Sequence, residues 1–184
     1  MPNPELRIIA GKLKNQKYFS PNTLVTHPMG ERLKGALFNT LGDIEGLSIL
    51  DAFSGSGGIG LEAASRGAGS VTLIESAPMA QKAIADNIRK LKLDDRAHLL
   101  RMSVQAWLKT LSGLKFNIII ADPPYDNLQT PLIIGLIDFA EPGGIFVLSL
   151  PAIAQVPDLP GLETVADKNY GNSRLIFYRK SLAL

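Results

Sequence analysis

Three acids in this chain each close a short apolar run, and each is followed by residues able to do chemistry. Asp51 ends Ser48-Ile49-Leu50 and opens Ala52-Phe53-Ser54-Gly55-Ser56-Gly57-Gly58-Ile59-Gly60. Glu75 ends Val71-Thr72-Leu73-Ile74, and Asp122 ends the run from Phe116 to Ala121 and opens Pro123-Pro124-Tyr125. The glycines let the backbone turn sharply and let a ligand come close, because no Cβ stands in the way. A helix starting there presents unpaired N–H groups to whatever sits before it. Gly55, Gly57 and Gly60 satisfy G-x-G-x-x-G, and Glu75 lies 20 residues beyond Gly55. That is the pattern of a nucleotide-binding strand, turn and helix.

Two ligand chemistries compete for this pattern. A carboxylate at Asp51, beside the loop, would repel a dinucleotide's pyrophosphate but attract an ammonium group. S-adenosylmethionine has no phosphate and carries a free amine, a carboxylate and a sulfonium. The order acid, x, aromatic, x, Gly, x, Gly suits it better. The other reading, an NAD-dependent oxidoreductase, is disfavoured by Asp51 and by the lack of an evident Tyr-Lys or His-Asp arrangement.

Asp122-Pro123-Pro124-Tyr125 forms a second constellation. The two prolines supply no backbone N–H and are rigid, so their carbonyls stand ready as fixed acceptors. Asp122 adds a carboxylate and Tyr125 a flat ring. Together they fit a planar group bearing an NH2, such as a nucleobase with an exocyclic amine. Such an amine is a poor nucleophile because its lone pair is delocalised into the ring. Acceptors pulling on its hydrogens favour a pyramidal nitrogen. Holding it in line with a methyl donor supplies up to ~7–11 kcal/mol of the barrier reduction.

The elements that must position these residues alternate along the chain. Strands are expected at residues 47–51, 71–75, 98–102, 116–121 and 144–150. Helices are expected at 31–41, 58–66, 78–93, 104–111 and 131–139, with Pro78 suiting a first helical turn. Two further β segments, 162–165 and 173–179, lack a long helix between them and read as an antiparallel pair at the sheet edge. The whole predicts a doubly wound, mostly parallel α/β sheet, Rossmann-like, with its ligand at the carboxyl ends of the strands. Residues 6–19 read as a small basic hairpin or extended arm, and 20–28 as a loop. The expected organisation is an N-terminal unit, 1–42, packed on a core, 43–184.

Composition narrows the classes. The 184 residues can hold one domain with a substantial core. A net charge of +2 implies no nucleic-acid partner by itself. Its distribution says more: Arg7, Lys12, Lys14, Lys17, Arg32 and Lys34 face one acid, Glu31, between Leu6 and Lys34. Those in the 6–19 arm either grip phosphates or protect a sheet edge. With no cysteine and with His27 and His98 far apart, no metal site is expected, and a reducing compartment fits. No apolar run approaches the ~20 residues that span a bilayer, and no signal peptide is evident.

These motifs together resemble the class I S-adenosylmethionine-dependent methyltransferases. More narrowly, the chain resembles the RsmD-type bacterial family that methylates the exocyclic amine of a guanine in small-subunit ribosomal RNA. The resemblance begins at Arg7-Ile8-Ile9-Ala10-Gly11 and at Arg32 with Leu37-Phe38-Asn39, its narrower marks. It continues through Asp51 to Gly57, Gly60-Leu61-Glu62-Ala63, Ser65-Arg66-Gly67-Ala68, Glu75, Asn87, Asp122 to Tyr125, Tyr170-Gly171 and Arg179. It implies that Asp51 and the backbone at Phe53, Gly55 and Gly57 hold the methionine part of the cofactor. Glu75 would bind the ribose, Ser103-Val104 would flank the adenine, and Asp122, Pro123, Pro124 and Tyr125 would hold the target base. Arg7, Lys12, Lys14, Lys17 and Arg32 would bind RNA, and S-adenosylhomocysteine would be the product. The resemblance also implies a cytoplasmic enzyme working on ribosomal RNA within an assembling subunit; the oligomeric state is left open, with a monomer favoured.

The sequence departs from the family pattern in two places. The usual R-P-T before the first helix reads His27-Pro28-Met29 here, and an acid or amide followed by alanine is replaced by Ser103-Val104. Alternatives that keep the chemistry are an adenine-N6 or a protein-amide methylase. A catalytically silent RNA-binding module is disfavoured by the intact D-P-P-Y.

Overall fold

In β6 (Phe116–Ala121) successive isoleucines go to opposite faces, as strand geometry requires, and both faces are buried. Ile118 and Ile120 join one apolar cluster and Ile119 and Ala121 the other. Each face must therefore be covered by helices, and it is. The computed structural model describes residues 5–21, 28–110, 113–125 and 128–182.

On one face pack α1 (Glu31–Leu41), α2 (Gly58–Ser65) and α3 (Pro78–Lys90). On the other lie α4 (Val104–Trp107) and α5 (Thr130–Ile137), with Trp107 against Phe116 and Phe139. The sheet also contains β3 (Ser48–Asp51), β4 (Ser70–Glu75), β5 (Ala97–Arg101), β7 (Ala140–Pro151), β8 (Leu162–Tyr170) and β9 (Ser173–Lys180). Its order is β5-β4-β3-β6-β7-β9-β8. The first five strands are parallel, and β9 runs antiparallel to both β7 and β8. This is the expected doubly wound α/β sheet with an antiparallel edge.

The chain moves outward from β3 to β5 and then returns to lay β6 beside β3. At that reversal the connections leave to opposite sides and open a crevice at the strand ends. Asp51 closes β3 and Asp122 follows β6, so the two acids stand on either side of the reversal.

The N-terminal segment forms a two-stranded antiparallel ribbon, β1 (Glu5–Arg7) with β2 (Lys17–Phe19). It shares the main core: Ile8 and Tyr18 sit in one cluster with Leu37, Phe38, Ile49 and Leu61. Glu62, fully buried on α2, accepts the Ile9 and Ala10 amides at 2.9 and 3.0 Å. Ser65 donates to the Ala10 carbonyl at 2.6 Å and accepts from the Leu13 amide at 3.0 Å. Asn87 on α3 bonds both the amide and the carbonyl of Phe19. Gly11, at φ +81°, presses so closely on the end of α2 that a Cβ would lie 2.0 Å from the Ser65 carbonyl oxygen.

Several boundaries differ from the sequence reading. Strand β8 runs to Tyr170, because an edge strand tolerates the charged run Asp167-Lys168-Asn169 and a register shift near Ala166 breaks the alternation. Strand β7 begins at Ala140, before Pro142-Gly143-Gly144. Helix α4 is described over only four residues, and Leu111 lies outside the described residues, as does His27 of the loop before α1. Among the described residues no helix is long and apolar enough to cross a membrane.

Candidate active site

Strand ends in register bring the three acids to one rim, Asp51 on β3, Glu75 on β4 and Asp122 after β6. The loop after β3 is drawn together by its own hydrogen bonds. The Gly57 amide donates to the Ser54 carbonyl at 2.6 Å and the Ser54 amide to the Ile74 carbonyl at 3.0 Å. The Gly55 amide donates to Glu75 Oε2 at 2.7 Å, while Glu75 Oε1 accepts the Ala77 amide at 2.7 Å. The Gly55 and Gly57 amides are thus engaged inside the loop, and Glu75 ties that loop to the start of α3. Gly58 opens α2 in contact with the arm: a Cβ there would lie 2.5 Å from the Tyr18 hydroxyl.

Asp51 is fully buried. Its Oδ2 accepts the Gly60 amide at 3.0 Å, and its Oδ1 has no partner among the described residues. Burial pushes its pKa up to about 7 against the pull of the Gly60 hydrogen bond, and the negative charges of Asp122 and Glu75 add to the rise. A buried carboxylate with a spare acceptor beside two other acids suits a cationic donor. An amino group, as in S-adenosylmethionine, meets that requirement, and a pyrophosphate does not.

Asp122 leads into the buried Pro123 and the exposed Pro124 and Tyr125. Burial raises the Asp122 pKa, and hydrogen bonding from Ser149 opposes the rise. Ser149 lies on β7 next to Leu148, the register partner of Ala121, which explains why it faces Asp122. Its hydroxyl is 3.0 Å from that of Tyr125, which also donates to Ser173 Oγ at 3.2 Å. The sequence reading did not single out Ser149. Its signal was a hydroxyl inside the apolar run Ile145-Phe146-Val147-Leu148-Ser149-Leu150.

Ser103 and Val104 follow β5 on the same rim. Ser103 Oγ accepts the Ala106 amide at 3.1 Å and caps α4, while Val104 packs into the core. Phe53 packs partly buried against the same apolar face.

The basic residues separate into two groups. Arg7 forms two 2.8 Å bonds to Glu31, and Lys17 pairs with Glu5 at 2.8 Å. Lys34 is buried beside Tyr18 and Glu62 and presents no charge to solvent. Lys12, Lys14 and Arg32 are exposed and have no side-chain partner among the described residues. Arg7, Lys14 and Arg32 line one surface concavity with Glu31.

Comparison with known proteins gives consistent matches. The family described as conserved hypothetical protein 95 matches residues 6–179. Ribosomal RNA small subunit methyltransferase D of Escherichia coli is 34% identical over 122 residues, 66% of this chain and 61% of that protein. YlbH of Bacillus subtilis is 28% identical over 182 residues, 95% of this chain and 99% of that one. Among solved structures, yhhF of Escherichia coli superposes with a TM-score of 0.88 at 26% identity, covering 98% of this chain and 100% of that one.

Proposed function

The chain belongs to the conserved hypothetical protein 95 family of RsmD-type S-adenosylmethionine-dependent methyltransferases, and on that premise we propose that it methylates the exocyclic N2 amine of a guanine in small-subunit ribosomal RNA. The observation that carries this reading is the pairing of Asp51 and Asp122 across the β3–β6 reversal, one shaped for a cationic ligand and the other leading into an aromatic base platform. S-adenosylmethionine, when bound, supplies a methyl on a sulfonium, whose C–S electron pair stays on the departing sulfur in S-adenosylhomocysteine.

In this reading Asp51 receives the cofactor's amine, Phe53, Gly55 and Gly57 shape the turn around its methionine part, and Glu75 accepts the ribose hydroxyls with its remaining lone pairs. Val104 offers an apolar wall to the adenine, and Ser103 fixes that wall by capping α4. Asp122 and the Pro123 carbonyl accept the hydrogens of the target amine, and Pro124 keeps the turn rigid. The Tyr125 ring, 44% exposed, stacks on the base. Lys12, Lys14 and Arg32, with Arg7 and Lys17 beside them, contact phosphates around the target. An RNA inside an assembling subunit, met by a monomeric cytoplasmic enzyme, is the substrate this reading favours.

The test is transfer of labelled methyl to unmodified small subunits and to naked small-subunit RNA, with mapping of the modified base. A single N2-methylguanine is the expected product. Label on adenine N6 or on protein would overturn the substrate assignment.

A further inference from the structure

A methylated amine must lose one proton for each methyl it gains, and Asp122 is the acceptor beside it. Asp122 is half-buried in the free protein, and a base seated on it would cover the side left open, so its proton needs another way out before the next turnover. A line of hydroxyls starts there. Ser149, with no exposed surface, faces Asp122 through the register of β6 and β7. Its oxygen is 3.0 Å from the Tyr125 hydroxyl, which lies 3.2 Å from Ser173 Oγ at the start of β9. Ser173 pairs with Pro151 at the open end of the same strands.

We infer that Ser149, Tyr125 and Ser173 form a proton outlet from Asp122 to solvent, an inference that rests on the amine-methylating role proposed above. The amine N–H bond breaks with its electron pair left on nitrogen, and the proton joins a carboxylate oxygen of Asp122. The acid then donates to Ser149 Oγ as the Ser149 proton moves to Tyr125. The Tyr125 proton moves to Ser173, and Ser173 releases one proton to water. Every oxygen ends with the proton count it began with.

Each hydroxyl carries a single proton, and this makes the line directional. When Asp122 is ionised, Ser149 donates to it and must accept from Tyr125. When Asp122 is protonated, the order reverses and Tyr125 donates outward to Ser173 across their 3.2 Å contact. Asp51 is close enough to Asp122 for their charges to interact, and it does not belong to the line. Ser149 is thus a positioning residue that acts through Asp122 and does not touch the base.

The experiment compares the first turnover with steady state, using labelled S-adenosylmethionine and unmodified small subunits. Ser149→Ala and Ser173→Ala should keep a first turnover within a few-fold of wild type. Their steady-state rate should fall about 100-fold, the lower end of the worth of a placed proton-transfer group. Both turnovers unchanged, or both slowed equally, would overturn the outlet. A second readout needs no substrate. The titration of the Asp122 carboxyl carbon, followed by NMR, should move upward in Ser149→Ala, because a hydrogen bond favouring the ionised form is lost. An unmoved midpoint would also overturn it. A wild type inactive on small-subunit RNA would count against the proposed substrate, and the titration would still decide whether Ser149 governs Asp122.

Discussion

Lys34 Nζ stands 3.7 Å from Glu62 Oε2, with 2% and 0% of their side chains exposed. Glu62 also holds Arg66 at 2.8 Å and the arm amides of Ile9 and Ala10. Desolvation lowers the Lys34 pKa, and Glu62 pulls it back up. Breaking a buried pair by removing one partner leaves an uncompensated charge and costs about 3–5 kcal/mol. Glu62→Ala should therefore destabilise the fold by that amount in denaturant titrations. It should also speed amide exchange at Ile9 and Ala10 ahead of the central strands. Slow exchange there, with stability unchanged, would remove Glu62 as the anchor of the arm.

Because Lys34 is buried, and Arg7 and Lys17 already have carboxylate partners, the proposed RNA-binding role should rest mainly on Lys12, Lys14 and Arg32. The Lys12→Ala/Lys14→Ala double variant should lower the magnitude of the log K versus log salt slope by roughly 1 per lysine. Arg7→Ala or Lys17→Ala should lower it by less, since Glu31 and Glu5 compete with phosphate. RNA affinity at three salt concentrations checks this. A wild-type slope in the double variant would return these lysines to the role of edge protection.

Cofactor affinity should depend on pH through Asp51. Its folded pKa is raised to about 7, chiefly by burial, so the ligand-free protein favours the neutral acid. The stability this contributes is complete below the ordinary carboxylate range and is lost as pH rises to about 7. An ammonium ligand needs the ionised form, so affinity should rise with pH, about tenfold per unit below about 7. Calorimetry with S-adenosylhomocysteine between pH 5.5 and 8 measures it. Asp51→Asn should bind weakly with a flat profile, and a flat wild-type profile would contradict the assignment.

Glu75 holds the Gly55 and Ala77 amides, and the proposed function gives it the cofactor's ribose as well. A charge-assisted hydrogen bond contributes ~1.5–3 kcal/mol, so Glu75→Ala should weaken cofactor binding about 10- to 150-fold. Glu75→Gln should also bind poorly, because its NH2 would meet one of those amide donors. Wild-type affinity in a folded Glu75→Ala protein, or competition by NADH, would refute the role.

Gly58 and Tyr18 should be energetically coupled. A Cβ at Gly58 would meet the Tyr18 hydroxyl at 2.5 Å, and overpacking of this kind costs about 1–3 kcal/mol. Gly58→Ala should lower stability and cofactor affinity together, and adding Tyr18→Phe should recover part of both. Strict additivity of the two changes would show that arm and loop do not communicate there.

The local pattern alone determined the sheet, the rim and the cofactor class. Short, near-continuous apolar runs ending in Asp51, Glu75 and Asp122 dictate buried strands whose ends carry acids, and a glycine turn admits a ligand wherever it is folded. Local periodicity is a property of neighbouring residues, so it survives in the sequence. The same reading ran short on the arm, where charge counted along the chain treated Lys34 like Lys12 and Lys14. Burial and ion pairing are decided by residues far apart in sequence: Glu62 is 28 positions from Lys34, and Glu31 is 24 from Arg7. Ser149 is the sharpest case. Nothing near it in the chain marks it as part of the site. Only the packing of β7 beside β6 sets its hydroxyl against Asp122, and only the reversal of β9 brings Ser173 to Tyr125. Residue types chose the chemistry available, and the sheet order chose which of those residues meet.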